Sequence, residues 1–163
     1  MKRAAIALAL ILGTRVASAD EVDLPKTLAR LIVPDDWKAV RLPGLVTAYK
    51  RPDGALLAVT RADVPNADAW IKDKKAAYAD QVFAGLKASL PAAKKLTKKL
   101  GDMNGVPALD VETTRDGAPI VVRVLLFRTY ALSLAIELPT GADIAVAREI
   151  AAKFGPAKPV ATD

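Results

Sequence analysis

Few side chains in this chain are able to do chemistry. It contains no His and no Cys. That removes an imidazole base, a thiolate nucleophile and the usual zinc ligands. Beyond residue 19 the only serines are Ser89 and Ser133. Ser133 stands between Ala131 and Ala135 in an alternating apolar stretch and reads as packing, not as a nucleophile paired with a lysine. Carboxylates remain. Asp110 and Glu112 are two residues apart, so on a strand they share a face. Arg123 falls opposite them in the pairing derived below, and Glu137 falls one strand further. Read functionally, this set is an acid/base pair or an oxygen-ligand site for a hard metal ion. Read structurally, it is an ion-pair cluster on a half-covered face. The structural reading is favoured because no calcium-loop pattern is present. No catalytic residue, metal ion or cofactor is expected. Asp35-Asp36 likewise reads as a solvated turn.

The one local charge run is Lys94, Lys95, Lys98 and Lys99. Such a run suits anionic lipid, wall polymer or an acidic partner. On a strand, however, Lys94 and Lys98 share one face while Lys95 and Lys99 share the other. Edge strands also carry lysine as protection against aggregation, and that reading weighs more. Trp37 and Trp70 are the only tryptophans. They complete the candidate binding surface, since aromatic residues anchor interfaces, although core packing is the stronger reading of both.

These residues must be positioned by a sheet centred on APIVVRVLLFRTYALSLAIEL, Ala118 to Leu138. Arg123 and Arg128 interrupt the run, which argues against a membrane helix. Ile120, Val122, Val124 and Leu126 alternate with Val121, Arg123, Leu125 and Phe127. Leu132, Leu134, Ile136 and Leu138 alternate with Ala131, Ser133, Ala135 and Glu137. Period-two alternation of β-branched residues predicts two strands. One face of the pair is expected to be wholly apolar, and the other mixed and covered only in part. Asn104-Gly105 and Asp116-Gly117 are two-residue hairpin signals. The second sets a register: Leu109 opposite Val124, Val111 opposite Val122, Thr113 opposite Ile120 and Asp110 opposite Arg123. Pro52-Asp53-Gly54 joins Leu45–Lys50 to Ala55–Thr60 in a further hairpin.

Two helices are expected. Asn66 to Leu90 carries Ile71, Lys75, Tyr78, Val82, Leu86 and Leu90 at spacings of three and four, widened by Ala79 and Phe83. Asn66 is its candidate N-cap, and Pro91 marks its end. Thr140 to Phe154 carries Ile144, Ala147, Ala151 and Phe154 on one side, with Thr140 as candidate N-cap and Gly155-Pro156 as its stop. Asp20 to Leu31 shows little pattern and reads as a short helix or an extended arm.

The first nineteen residues read as a secretory signal peptide. Lys2 and Arg3 are followed by the apolar Ala4–Leu12 and the small-residue motif Ala17-Ser18-Ala19, which places cleavage between Ala19 and Asp20. Of the 24 basic residues, three lie in that segment with no acid, so 21 basic stand against 18 acidic residues afterwards, a net charge of +3. A basic chain that binds nucleic acid is therefore not indicated. The expected organisation is a signal peptide over 1–19, a single α+β domain over 20–155 and a disordered tail over 156–163. The expected location is periplasmic or secreted.

A Pro-x-x-Trp lead-in (Pro34, Trp37) precedes the hairpin with Tyr49 and Pro52-Asp53-Gly54. A long helix with Trp70 follows. Gly105-Val106-Pro107-Ala108-Leu109, a basic strand, Tyr130-Ala131-Leu132 and Leu138-Pro139 complete the pattern. In this order of elements the chain resembles the PsbP-like α/β/α sandwich group, over roughly residues 33–155. That group includes the extrinsic photosystem II protein, a small Ran-binding nuclear protein and bacterial envelope proteins of the DcrB type. The resemblance implies a mainly antiparallel sheet of about six strands with helices packed on it. It also implies a non-catalytic partner or chaperone of a larger assembly. The expected function is thus that of an exported accessory protein, not an enzyme, whose partner is another envelope protein. The alternative is an envelope-surface module that holds anionic lipid or wall polymer through its lysine-rich strand. An enzyme using carboxylates alone ranks third.

Overall fold

The structure is a computed structural model that describes residues 19–64, 75–90 and 93–159. Ten strands and two helices are present among the described residues. The strands are β1 (Ala19–Asp23), β2 (Ala29–Pro34), β3 (Lys38–Val40), β4 (Thr47–Lys50), β5 (Leu56–Asp63), β6 (Lys94–Met103), β7 (Val106–Arg115), β8 (Ala118–Leu126), β9 (Tyr130–Glu137) and β10 (Gly155–Pro156). The helices are α1 (Lys75–Ser89) and α2 (Ile144–Ala152). A seven-stranded sheet has the order β3-β4-β5-β9-β8-β7-β6, and a three-stranded sheet has the order β1-β2-β10. Every strand pairing among the described residues is antiparallel. The class is α+β, as expected, with more strands than the six anticipated.

The meander follows its turn chemistry. Asn104 and Gly105 have φ of 52° and 84°, and Asp116 and Gly117 have φ of 52° and 79°. Positive φ at both central residues is what a two-residue turn matched to strand twist requires. The register of β7 on β8 is the expected one, including Asp110 opposite Arg123.

The pairing of β8 with β9 differs from expectation. Ile120 lies opposite Glu137, Val122 opposite Ala135 and Val124 opposite Ser133. The apolar row of β8 therefore adjoins the mixed row of β9, and the two strands bury their apolar rows on opposite faces of the sheet. Each face consequently has its own core. On one, Ile120, Val122, Val124 and Leu126 join Leu109 and Val111 under Tyr78 and Ala79 of α1. On the other, Leu132, Leu134, Ile136 and Leu138 join Leu57, Val59, Val121 and Leu125 under Ala147, Ile150, Ala151 and Phe154. The small sheet packs into this second core through Ala29, Leu31 and Val33. Helix α1 lies over β6 and β7, whereas α2 lies over β8 and β9.

Several boundaries move. Asp20 to Leu31 forms the β1–β2 hairpin, and the alternation of Ala29, Leu31 and Val33 was its signal. In α1, Val82, Phe83 and Leu86 pack on the core as expected, but Lys75 is exposed. The expected start at Asn66 and stop at Pro91 lie outside the described residues. Helix α2 begins at Ile144 with Asp143 as its N-cap, whose side chain accepts from the Ala145 amide. Thr140 instead donates its hydroxyl to the Asp116 carbonyl, and Gly141 at φ 80° turns the chain before the helix. Gly155 and Pro156 do more than stop it, because they pair with β2. The expected tail from Pro156 is thus tied down at its start, and the Ala157 amide donates to the Leu28 carbonyl at 2.8 Å.

Candidate functional site

The offset of the two helices leaves part of the α2 face uncovered at the β6–β7 side. There the sheet and α2 enclose a surface cleft of about 390 Å³. Thr97, Lys98 and Lys99 of β6, Asp110 and Glu112 of β7, and Val121 and Arg123 of β8 form its sheet side, while Arg148 and Ala151 of α2 close it. The row of β8 that carries Val121 and Arg123 is therefore covered only in part, but the single mixed face expected across β8 and β9 does not form, because the mixed row of β9 lies on the α1 face.

The charges are arranged as two arginine–carboxylate pairs. Arg123 donates from Nε to Asp110 Oδ1 at 2.6 Å and from Nη2 to Oδ2 at 2.8 Å. Its Nη1 donates to the Ala151 carbonyl at 2.6 Å. That carbonyl belongs to the last turn of α2, where such groups carry partial negative charge, and it also accepts from the Phe154 amide at 3.1 Å. Arg123 is thus a clamp between sheet and helix, with 12% of its side chain exposed. Arg148 reaches back from α2 and holds both oxygens of Glu112 at 2.7 Å. This hydrogen-bonded pairing holds the Glu112 carboxyl below its ordinary range, with burial opposing and the Arg148 charge assisting. The Arg148 guanidinium is shifted up by the same contact. A general acid at neutral pH needs the opposite shift.

Glu137 does not join this cluster. It points to the α1 face, where Arg115 Nη2 binds its two oxygens at 2.7 and 2.6 Å. The expected relation failed because strand β9 presents odd and even positions to the faces opposite to those assumed. No three of His, Cys, Asp or Glu come together as metal ligands among the described residues. Ser133 lies on the α1 face in a second groove with Ala58, Ala135 and Leu86, and no lysine lines that groove.

The lysine run is divided, though not as its spacing implied. A register shift falls between Lys94 and Thr97, so Lys94 lies opposite Thr114 while Lys98 lies opposite Val111. Thr114 and Val111 face opposite sides of β7, hence Lys94 and Lys98 do not share a face. The Lys98 ammonium is paired with Asp80 of α1 and stands 5.2 Å from the Phe83 ring centre. Lys99 lies on the cleft side, opposite Asp110. Lys95 sits on β6 within the same edge strand. Trp37 is 4% exposed in the second core, with the Arg51 guanidinium 5.4 Å from its ring centre. It is removed from the surface candidates, because its side chain is buried in that core. Trp70 lies outside the described residues.

Arg148 was not singled out from the sequence. Its place on the flank of an amphipathic helix was legible, but its reach to Glu112 depends on how α2 crosses the sheet.

The architecture is similar to the solution structure of cyanobacterial PsbP (CyanoP) from Synechocystis sp. PCC 6803. The TM-score is 0.62 at 14% identity, over 88% of this chain and 95% of that chain. The chain has a PsbP-like fold. Two further solved structures show lower likeness. One is a Bacteroides thetaiotaomicron protein, at TM-score 0.45 and 12% identity over 80% of this chain and 46% of that one. The other is the Pseudomonas aeruginosa protein of unknown function PA94, at TM-score 0.36 and 21% identity over 80% of this chain and 89% of that one. No family model matches the chain, and no curated protein is significantly similar to it.

Proposed function

We propose that this protein is an exported, non-catalytic binding or accessory protein of the cell envelope, acting with another envelope protein. The observation that carries the reading is the state of the cleft. Its two carboxylates are each held through both oxygens by an arginine, and one arginine is in turn bound to the end of α2. Groups so engaged hold the fold together and are not poised to exchange protons with a substrate. The signal-peptide pattern at residues 1–19 supports export, and the PsbP-like fold supports an accessory role by resemblance.

The alternative, attachment to anionic lipid or wall polymer through Lys94, Lys95, Lys98 and Lys99, is weakened by the division of those lysines. Cross-linking in the native envelope fraction, followed by mass spectrometry, separates the two. One stoichiometric protein partner is the expected result. Recovery in a lipid- or wall-bound fraction, released by salt and lost on changing the four lysines to Gln, would replace the accessory reading with the surface-module one.

A further inference from the structure

The cleft has capacity that its internal ion pairs do not use. Lys98, Lys99, Arg123 and Arg148 stand against Asp110 and Glu112; the Lys98 ammonium is taken up by Asp80 of α1, which leaves a surplus of one positive charge. Three donors are unspent among the described residues: the Lys99 ammonium, the Thr97 hydroxyl and Nη1 of Arg148, whose Nε and Nη2 hold Glu112. Val121 and Ala151 also line the cleft, both almost fully buried. A volume of about 390 Å³ lies within the roughly 300–1,000 Å³ of small-molecule sites.

From this arrangement we infer that the cleft binds a carboxylate, carried by a small organic acid or by the C-terminus of a peptide, seated between Lys99 and Arg148 with Thr97 beside it. The single surplus charge matches a monoanion. A dianionic phosphate would leave net negative charge beside Asp110 and Glu112. A cation finds no free carboxylate oxygen, because both acids are taken up by arginines. The inference rests on the reading of the protein as a binder and gives that reading a ligand class.

The proposal makes a prediction of opposite sign for two neighbouring substitutions. Lys99→Gln removes the unpaired ammonium and should weaken binding about tenfold, as for the loss of a charge-assisted hydrogen bond. Glu112→Gln releases Arg148 from its anionic partner and should tighten binding several-fold. The probes are butyrate, the N-acetylated dipeptide Ala-Ala with a free C-terminus, and the same dipeptide amidated. Binding is read by amide chemical-shift titration of the purified protein, with circular dichroism confirming that each variant is folded. Saturable shifts at Thr97, Lys99 and Arg148, with the two substitutions acting in opposite directions, are expected. Preference for the free dipeptide over butyrate assigns a peptide C-terminus, and equal binding assigns a small acid. No saturable shift with any probe overturns the inference, as does binding that Lys99→Gln leaves unchanged. A stable protein partner found by cross-linking alongside such a failure would leave the accessory reading standing. Conversion of a bound acid would instead overturn the non-catalytic reading while the site stands.

Discussion

Arg123 shows how a charge can be retained in a core when all of its donors are engaged. Its three nitrogen groups are all engaged, two by Asp110 and one by the Ala151 carbonyl. Removing the acid would leave a largely buried guanidinium without its counter-ion. Breaking a fully buried pair costs about 3–5 kcal/mol. Asp110 is 30% exposed, so Asp110→Ala should cost less, about 2 kcal/mol, read as a lowered midpoint in urea. Arg148 holds the Glu112 carboxyl below its ordinary value of 4.5. As pH falls, the unfolded chain takes up this proton before the folded one does. The stability from the pair is therefore fully present above the unfolded value and is lost as pH drops through the lower folded value. Thermal melts of Glu112→Gln should show a shallower loss of stability on acidification below about pH 4.5. Asp53, bound by Arg51, and Glu149, bound by Lys153, shift in the same direction. They remain in the variant, so the difference from the unsubstituted chain isolates Glu112.

At the scale of elements, the β7–β8 turn and the β10 pairing are the places where one atom decides local structure. Gly117 has φ of 79°, and a Cβ there would stand 3.1 Å from Thr140 Cγ2. Gly117→Ala combines left-handed strain with this tight contact and should destabilise by about 1–2 kcal/mol in denaturant titration. A Cβ at Gly155 would collide with Met103 Sδ, at the end of the neighbouring β6–β7 hairpin. The thioether is flexible, so Gly155→Ala should cost only about 1 kcal/mol. Adding Met103→Ala should recover part of the loss if the collision is the cause. Tyr130 links three elements in a comparable way. Its hydroxyl accepts from the Leu28 amide at 2.9 Å, its ring stacks on Phe127 at 4.8 Å, and the Arg61 guanidinium lies 4.4 Å from its centre. The turn between β1 and β2 is thereby fastened to β9.

For the molecule as a whole, association turns on the edges of its sheets. Strand β6 ends the large sheet and carries Lys94, Lys95, Lys98 and Lys99. Two such strands brought together would place like charges side by side, which opposes edge-to-edge association. Changing all four to Gln should raise light scattering during concentration at constant far-ultraviolet circular dichroism. Unchanged scattering would show that the bulge near Lys94, and not the charge, protects this edge.

Much of the meander was legible in the sequence. Asn104-Gly105 and Asp116-Gly117 fix turns through backbone sterics, and once a turn is fixed, period-two alternation dictates which residues meet. That local logic placed Asp110 on Arg123 and identified the amphipathic stripe of α1. It failed where position depends on contacts between distant segments. The three-residue link between β8 and β9 set their apolar rows on opposite faces, because each row was satisfied by a different layer. The β1–β2 hairpin exists because β10 pairs with β2 from the far end of the chain, Gly155 opposite Arg30, and because α2 and the large sheet bury Leu31. The cleft arises only from the offset of α2 on the sheet. The chain's local steric preferences and hydrophobic period are written in the sequence. Which buried surface each strand finds is a choice among long-range packings of similar pattern, and only the assembled tertiary structure makes it.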